Sequence, residues 1–288
     1  MSKSILDLDA ASQEFVINKL VDGEITEKND WIAREEPLEI KILHGPSENR
    51  VLFTLAITMR TPGDDYDLAR GFLLTEVIIQ NCDEIIGITY DLDLAPEKQQ
   101  LNSLIVELSS DLEISEEKLN RHFYTTSSCG VCGKTSLEMV RLQSSFFPPE
   151  DSIKISKDQI QALFHLLKKE QQTFEQTGGL HAAALVDLEG NLILSREDIG
   201  RHNAVDKLIG AFCMDKKMPL RQHIMLVSGR AGFELVQKSV IAGLPIFVAM
   251  GAASSLAIEL AEANNMTLIG FLQEGSFNIY SHPERITQ

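Results

Sequence analysis

The chain has 288 residues and a formal net charge of −16, with 26 Lys and Arg against 42 Asp and Glu. Its 44% of hydrophobic and 24% of charged residues are typical of a globular protein and exclude a chain that is disordered throughout. The acidic balance is the opposite of that in most nucleic-acid-binding proteins, so we expect no nucleic-acid partner. An anionic ligand would have to be held by a local group of basic residues.

The N-terminal segment has acidic residues where a signal peptide has an apolar run. The longest apolar stretch, 244–258, is interrupted by glycine and serine and falls short of the roughly 20 residues of a membrane span. Four cysteines in a chain of this length are too few for a disulfide-stapled secreted domain. The sequence therefore predicts a cytoplasmic protein with no membrane partner, in which Cys82 and Cys213 contribute only to packing.

The first half of the chain has the pattern of a small β-rich domain. Residues 1–30 are polar and poorly periodic, which predicts a loose leader. Alternation of apolar and polar residues on either side of a turn-rich stretch then predicts a hairpin. The predicted elements are hairpin strands at 38–43 and 51–57, a helix at 64–79, strands at 85–91 and 103–108, and a short helix at 135–142. We expect this N-terminal α+β domain to span 31–150.

The second half is more regular, because short apolar strands alternate with helices. Such alternation predicts a buried parallel sheet built from strand–helix–strand units. Its first helix is capped by Ser156 and ends at Gly178-Gly179. The other predicted elements are strands at 181–186, 192–194, 224–227, 246–250 and, last, 268–271, with helices at 204–212, 233–242 and 256–263. We expect this C-terminal α/β domain to span 151–288.

Ligands of open α/β sheets bind beyond the carboxyl ends of the strands. Three loops in that position are rich in small residues: Ser228-Gly229-Arg230, 251–255 and 273–276. Small residues let a ligand approach backbone amides, which indicates a phosphate-bearing ligand, although glycine and serine also serve as plain turn residues. The sequence has neither a Walker motif nor a Gly-x-Gly-x-x-Gly fingerprint, which argues against an ordinary nucleotide enzyme.

The stretch 196–203 contains two arginines, a histidine, two acids and an asparagine within eight residues. Arginine side chains in such a cluster can clamp a phosphate through paired hydrogen bonds. The same composition also fits an ion-pair network at the start of a helix. Because cations are scarce in this acidic chain, we take Arg201 and His202, together with Ser228 and Arg230, as candidate ligand-binding residues.

Cys129 and Cys132 are two residues apart and are flanked by Gly130, Gly133 and Lys134. A nearby cation favours the reactive thiolate. A zinc site would need further ligands with paired spacing, and a zinc deaminase would need a His-x-Glu element together with Pro-Cys-x-x-Cys. A thioredoxin-like exchanger would have its cysteine pair directly after the first strand of a small domain. The chain meets none of these patterns. We therefore predict no metal ligand and a nucleophilic thiolate that carries a group such as a persulfide sulfur, with two inert cysteines as the plainer alternative.

A series of motifs runs in order along the chain from about Trp31 to its end. They are Glu35-Glu36-Pro37-Leu38, Thr61-Pro62-Gly63-Asp64, Ala69-Arg70-Gly71-Phe72-Leu73, Cys129-Gly130-Val131-Cys132-Gly133, the stretches 177–184 and 196–204, Ser228-Gly229-Arg230, Val236-Gln237-Lys238 and 280–285. With these motifs the sequence resembles the FdhD/NarQ family, the formate dehydrogenase accessory sulfurtransferases. The resemblance implies a cytidine-deaminase-like, three-layer C-terminal domain beside the smaller N-terminal domain.

The same resemblance implies a function and a set of partners. Such a protein takes persulfide sulfur from a cysteine desulfurase and passes it to the molybdenum or tungsten bis(guanine dinucleotide) cofactor that active formate dehydrogenase needs. Cys129 would carry the persulfide and Cys132 would assist it. The resemblance also implies a homodimer and an interaction with the catalytic subunit of the dehydrogenase.

A loop after the last predicted strand would contact the cofactor by the same resemblance. It consists of Phe271, Leu272, Gln273, Glu274, Gly275 and Ser276. Family members often have a basic residue in this loop, and this chain has none, so phosphate contacts would depend on backbone amides and on Arg230 or Arg201. Two other functions stay open at this point: a non-catalytic chaperone for the cofactor, and a disulfide reductase that cycles Cys129 and Cys132.

Overall fold

The computed structural model of the protein describes residues 11–91, 101–112, 114, 153–213 and 218–288. Cys129, Cys132 and the helix expected at 135–142 lie outside these residues. The described strands form one sheet of six strands, one of four and two of two. None of the described helices is long and apolar enough to span a membrane.

The described chain begins with an antiparallel hairpin of β1 (Ser12–Val21) and β2 (Glu24–Ala33), where the sequence predicts a loose leader over 1–30. That prediction is wrong for this stretch. The turn explains the difference, because Asp22 and Gly23 both adopt positive φ, 51° and 89°, as an Asp-Gly pair does in a two-residue hairpin loop. Most side chains on both strands are exposed, so the buried alternation that marks a strand in sequence is missing.

The four-stranded sheet has the order β4-β3-β6-β5. Its strands are β3 (Glu36–His44), β4 (Val51–Arg60), β5 (Ile85–Tyr90) and β6 (Ser103–Leu108). The predicted hairpin is confirmed, since β3 and β4 pair antiparallel. One face of the sheet buries Ile40 and Val106 in an apolar cluster that also contains Leu68 of helix α1 (Asp65–Thr75).

Strand β7 (Ile155–Ser156) leads into helix α2 (Lys157–Glu170). It pairs in parallel with the short strand β14 (Ile286–Thr287). The predicted cap is confirmed, because Ser156 Oγ accepts from the Gln159 amide at 3.1 Å and Gln159 Oε1 accepts from the Ser156 amide at 2.9 Å. The helix predicted to reach Gly178 is in fact two helices. A second one, α3 (Gln172–Thr177), follows α2 and ends at Gly178, whose φ is 69°.

The six-stranded sheet has the order β13-β12-β11-β10-β8-β9. Its strands are β8 (His181–Asp187), β9 (Leu192–Asp198), β10 (His223–Val227), β11 (Ile246–Ala249), β12 (Thr267–Gln273) and β13 (Ser276–Ser281). The predicted parallel arrangement holds for β10, β11 and β12, whereas β8 and β13 run antiparallel to their neighbours. The strand at 268–271 is not the last, because the largely exposed β13 pairs with it.

Helices cover both faces of this sheet. Leu163 and Leu167 of α2 pack on one face with Ala184 and Leu226. The other face carries α4 (Arg201–Cys213), α5 (Phe233–Ile241) and α6 (Ser255–Ala263). The three layers, beside a smaller β-rich N-terminal part, confirm the predicted fold class. The domain boundaries at 31–150 and 151–288 stay a prediction.

Helices α1 and α4 cross closely enough to join the two large sheets. A Cβ on Gly71 would collide with the backbone of Asp206, and a Cβ on Gly210 would collide with the carbonyl of Asp67. The apolar cluster of the four-stranded sheet therefore continues through α1 and α4, with Val205, to Met225 of the six-stranded sheet.

Cys82 and Cys213 do more than pack, because a disulfide joins them across 131 residues of chain. Cys82 lies in a 3-10 turn, Cys82–Glu84, just before β5, and Cys213 is the last residue of α4. The prediction that Cys82 and Cys213 contribute only to packing is therefore wrong. Neither cysteine lies near a second one in sequence, so their spacing gave no sign of the bond.

Candidate functional site

Two of the three predicted loops meet at one edge of the six-stranded sheet. The start of β8 lies beside the end of β10, where the Ser228 amide donates to Ala182 O at 3.0 Å and Ser228 Oγ accepts from the Ala182 amide at 2.9 Å. The Gly251 amide donates to Gly229 O at 3.0 Å, and a Cβ on Gly251 would lie only 2.9 Å from that oxygen. The loops after β10 and β11 are therefore packed together by their backbones.

The stretch 271–276, predicted as a loop after the last strand, is largely strand, since Phe271, Leu272 and Gln273 end β12 and Ser276 begins β13. The Phe271 amide donates to Gly251 O at 3.0 Å, and its side chain is 42% exposed at the rim. Leu272 instead packs in the core below α2 and is 1% exposed, so its side chain is withdrawn from any ligand. The exposed residues Gln273, Glu274, Gly275 and Ser276 form the β12–β13 turn, which lies against α2 through a hydrogen bond from the Gly275 amide to Gln161.

Most of the polar stretch 196–203 holds the fold together. Arg196 forms ion pairs with Asp64 and Asp67 of the α1 region at 3.2 and 3.0 Å. Glu197 accepts from the Thr173 and Phe174 amides at 3.1 and 3.0 Å and so caps α3.

Two further members of the stretch join α4 to the four-stranded sheet. Buried Asp198 pairs with Lys207 at 2.7 Å and accepts from the Thr61 amide at 3.1 Å. Asn203 donates to Met59 O at 2.7 Å and accepts from Thr58 Oγ1 at 3.1 Å. For these residues the ion-pair network is the correct interpretation, and it leaves Arg201 and His202 as the members that face the sheet edge.

Two arginines and a histidine gather at that edge. Arg201 and Arg230 make no hydrogen bond or ion pair within the part of the chain that the structure describes. A Cβ on Gly229 would lie 3.9 Å from Arg201 Cδ, which places the arginine against the loop after β10. His202 is paired, with Nε2 2.6 Å from Glu234 Oε2, and the hydrogen bond from His202 lowers the pKa of Glu234.

His181 is a further residue at this edge that the sequence did not place in a site. It begins β8, and its Nδ1 would lie 3.6 Å from a Cβ on Gly229. Burial, with the positive charges of Arg201 and His202, lowers the pKa of His181. The lowered pKa favours the uncharged imidazole of His181 beside Arg201 and His202.

A pocket of about 580 Å³ opens between this edge and helices α2 and α3. That volume is within the range of small-molecule sites. Its walls include Lys168, Phe174, Glu175, His181, Ser228 and Met250. Only Ser228 was predicted, because no motif marks α2 or α3. The Phe174 ring is 40% exposed, and the cap that Glu197 provides holds α3 in place beside the pocket. Within the described ranges, no cluster of three His, Cys, Asp or Glu could hold a metal ion.

Comparisons with known proteins identify the family. The FdhD/NarQ family model matches residues 33–287. A sulfur carrier protein FdhD from Mycolicibacterium paratuberculosis is 45% identical over 271 residues, covering 94% of this chain and 97% of the relative. Another from Picrophilus torridus is 45% identical over 258 residues, covering 89% and 92%.

A crystal structure from Desulfotalea psychrophila, described as that of a formate dehydrogenase accessory protein, has the same fold. Its TM-score is 0.71 at 22% identity, covering 96% of this chain and 100% of the other. The fold agrees with the sequence matches, which extend over nearly the whole chain. The protein therefore belongs to the FdhD/NarQ family.

Proposed function

We propose that this protein is a sulfur carrier that takes sulfur as a persulfide from a cysteine desulfurase and passes it to the guanine-nucleotide-bearing molybdenum or tungsten cofactor of a formate dehydrogenase. Its relatives are named as sulfur carriers. The observation that carries the proposal for this chain is the position of the pocket, which lies directly beside the cations of one sheet edge. A nucleotide-bearing substrate needs a pocket for its base and cations for its phosphates.

The cationic side of the edge suits phosphate. Arg201 and Arg230 have no partner to give up within the described residues, so a phosphate would not first have to break an ion pair. A guanidinium can bind two phosphate oxygens at once, and the small residues of the loop after β10 allow close approach to the backbone. These groups replace the basic residue that the Phe271–Ser276 loop lacks.

The pocket side suits a purine base. The exposed Phe174 ring and Met250 offer apolar surfaces for stacking. Glu175 also lines the pocket, and its carboxylate makes no hydrogen bond or ion pair in the described part of the chain. A carboxylate can accept from both N1–H and the exocyclic amino group of guanine, whereas adenine presents an acceptor at N1. This chemistry favours a guanine nucleotide.

The sulfur step is assigned to Cys129, with Cys132 as its helper. The Cys129 thiolate attacks the outer sulfur of the desulfurase persulfide, and the desulfurase cysteine leaves as a thiolate with the electron pair of the broken S–S bond. When an acceptor nucleophile later attacks the outer sulfur, Cys129 leaves in the same way. The proposal also includes a homodimer, an interaction with the dehydrogenase catalytic subunit and a cytoplasmic location.

Loading of the cysteine with sulfur is the first test. We expect the protein, incubated with an active cysteine desulfurase and free cysteine, to gain one sulfur atom on the Cys129 peptide in non-reducing mass spectrometry. Cys129→Ala should lose this sulfur and should leave the dehydrogenase inactive, whereas Cys132→Ala should still be loaded. A Cys129→Ala protein that activates the dehydrogenase as the wild type does would favour a chaperone that only holds the cofactor.

Binding of the nucleotide is a separate prediction. Arg201→Ala should weaken the binding of GDP by about 10-fold to 150-fold, since the loss of a charge-assisted hydrogen bond costs about 1.5–3 kcal/mol. Arg221→Ala is the matched control, because Arg221 is exposed just before β10, at the opposite edge of the sheet. Calorimetry on both variants, with circular dichroism to verify folding, measures the effect. Equal affinity for the wild type and Arg201→Ala would remove Arg201 from the site.

A further inference from the structure

Glu234 belonged to no predicted site, yet its carboxylate lies 2.6 Å from Nε2 of His202 at the sheet edge. We propose that Glu234 is a positioning residue, which accepts from Nε2–H of His202 so that the doubly protonated ring presents Nδ1–H to the phosphate of the ligand. This inference rests on the proposed function, in which the edge binds a nucleotide. A carboxylate that accepts from one ring nitrogen fixes the orientation of the ring, and on a doubly protonated ring the other N–H stays free to donate to its partner.

A second, buried ion pair already joins the two helices that carry His202 and Glu234. His202 and Glu234 lie in the first turns of α4 and α5. Four residues further along each helix, Asp206 and Lys238 form a buried ion pair at 3.0 Å, with side chains 2% and 7% exposed. The inner pair therefore joins the helices one turn below the outer pair.

The outer pair has little to add to the stability of this packing. Its side chains are 33% and 49% exposed, and ion pairs between such exposed groups contribute little. What the contact does fix is the direction of the His202 ring, which lies close enough to His181 at the sheet edge to interact with it electrostatically. The hydrogen bond from His202, opposed by burial and aided by the charges of His202, Lys238 and Arg201, lowers the pKa of Glu234, so its carboxylate is ionised near neutral pH.

A purely electrostatic role and a positioning role of Glu234 predict opposite changes in GDP affinity for Glu234→Gln. Glu234→Gln removes a negative charge from the neighbourhood of an anionic ligand, which by charge alone would strengthen binding. If Glu234 instead positions His202, the same substitution should weaken GDP binding about fivefold to tenfold, because a carboxamide accepts from Nε2–H more weakly than a carboxylate and the Nδ1–H donor is held less firmly.

The experiment is calorimetric titration of the full chain with GDP for the wild type, Glu234→Gln, His202→Ala and the double variant. The loss in Glu234→Gln should vanish in the His202→Ala background, because Glu234 acts through His202. Long-range ¹H–¹⁵N spectra of the histidine rings should show the signal of Nε2 of His202 shift in Glu234→Gln, while the unfolding midpoint stays unchanged.

Glu262→Gln is the matched control, since Glu262 contacts His282 at 3.6 Å in a second His–Glu pair near the start of β12. It should leave GDP binding unchanged. Wild-type or tighter GDP binding by Glu234→Gln would overturn the inference and leave the proposed function standing. A wild-type protein that does not bind GDP would overturn the nucleotide part of the proposed function, and this inference with it.

Discussion

Lys238→Met is expected to lower the free energy of unfolding by about 3–5 kcal/mol, the usual cost of removing one partner of a buried ion pair. Lys238 Nζ lies 2.9 Å from Glu76, 3.0 Å from Asp206 and 2.9 Å from Thr75 Oγ1. Burial opposes the charge of the lysine, but Asp206 and Glu76 outweigh it and raise the pKa of Lys238. Methionine would leave the buried carboxylate of Asp206 without a cation. Urea unfolding at pH 7 measures the loss.

The loss in Lys238→Met should also depend on pH. Burial raises the pKa of Asp206 even with Lys238 opposing it, and the substitution removes that opposition. A carboxyl group with a raised pKa in the folded state is stabilising when protonated, so its contribution is lost as pH rises. The deficit of the variant relative to the wild type should therefore shrink between pH 7 and pH 5.

Two controls keep this result interpretable. Lys169→Met removes an exposed lysine of α2 and should change stability by no more than about 0.5 kcal/mol. Adding Asp206→Asn to Lys238→Met removes the stranded charge and should recover part of the loss. A deficit that is equal at both pH values would show that the lost packing of the lysine chain, and not the charge of Asp206, causes it.

Cys82→Ser is the second substitution with a large expected effect, a loss of about 2–5 kcal/mol under non-reducing conditions. The disulfide with Cys213 closes 131 residues of chain, and a cross-link over so long a loop restricts the unfolded state strongly. Guanidinium unfolding of both proteins, with and without reductant, provides the measurement.

Reductant also supplies the control for this substitution. The reduced wild type should unfold close to the midpoint of Cys82→Ser, because both then lack the same cross-link. The variant itself should be insensitive to reductant. If the oxidised wild type and Cys82→Ser unfold at the same midpoint, the disulfide makes no net contribution to stability.

The elements that sequence predicted well are those whose pattern is set by burial. The strands β10 and β11 are apolar at almost every position and buried, so their pattern cannot be mistaken for a surface loop. The start of α2 was predictable because Ser156 and its cap are local in sequence. The β1–β2 hairpin was not, since most of its side chains are exposed and only its Asp-Gly turn marks it.

The sequence predicted which residue types form the site, but not which residues each of them contacts. The polar residues of the stretch 196–203 serve two roles that composition does not distinguish. Only the fold shows that Asn203 is buried against the four-stranded sheet, whereas Arg201 faces the site. Glu234 and the pocket wall at Glu175 come from segments remote in sequence from that stretch. Contacts of this kind depend on how helices pack, and no local pattern records them.

The apolar cluster shared by the two sheets predicts that they unfold as one cooperative unit. Leu68 of α1 and Val205 of α4 belong to the same cluster as the inner faces of both sheets, so neither sheet can detach without exposing apolar surface of the other. Arg201 and His202 lie at the start of α4, the helix at the centre of this unit. A ligand held there favours the folded state of the whole unit by mass action, so nucleotide binding should raise the melting temperature of both halves together.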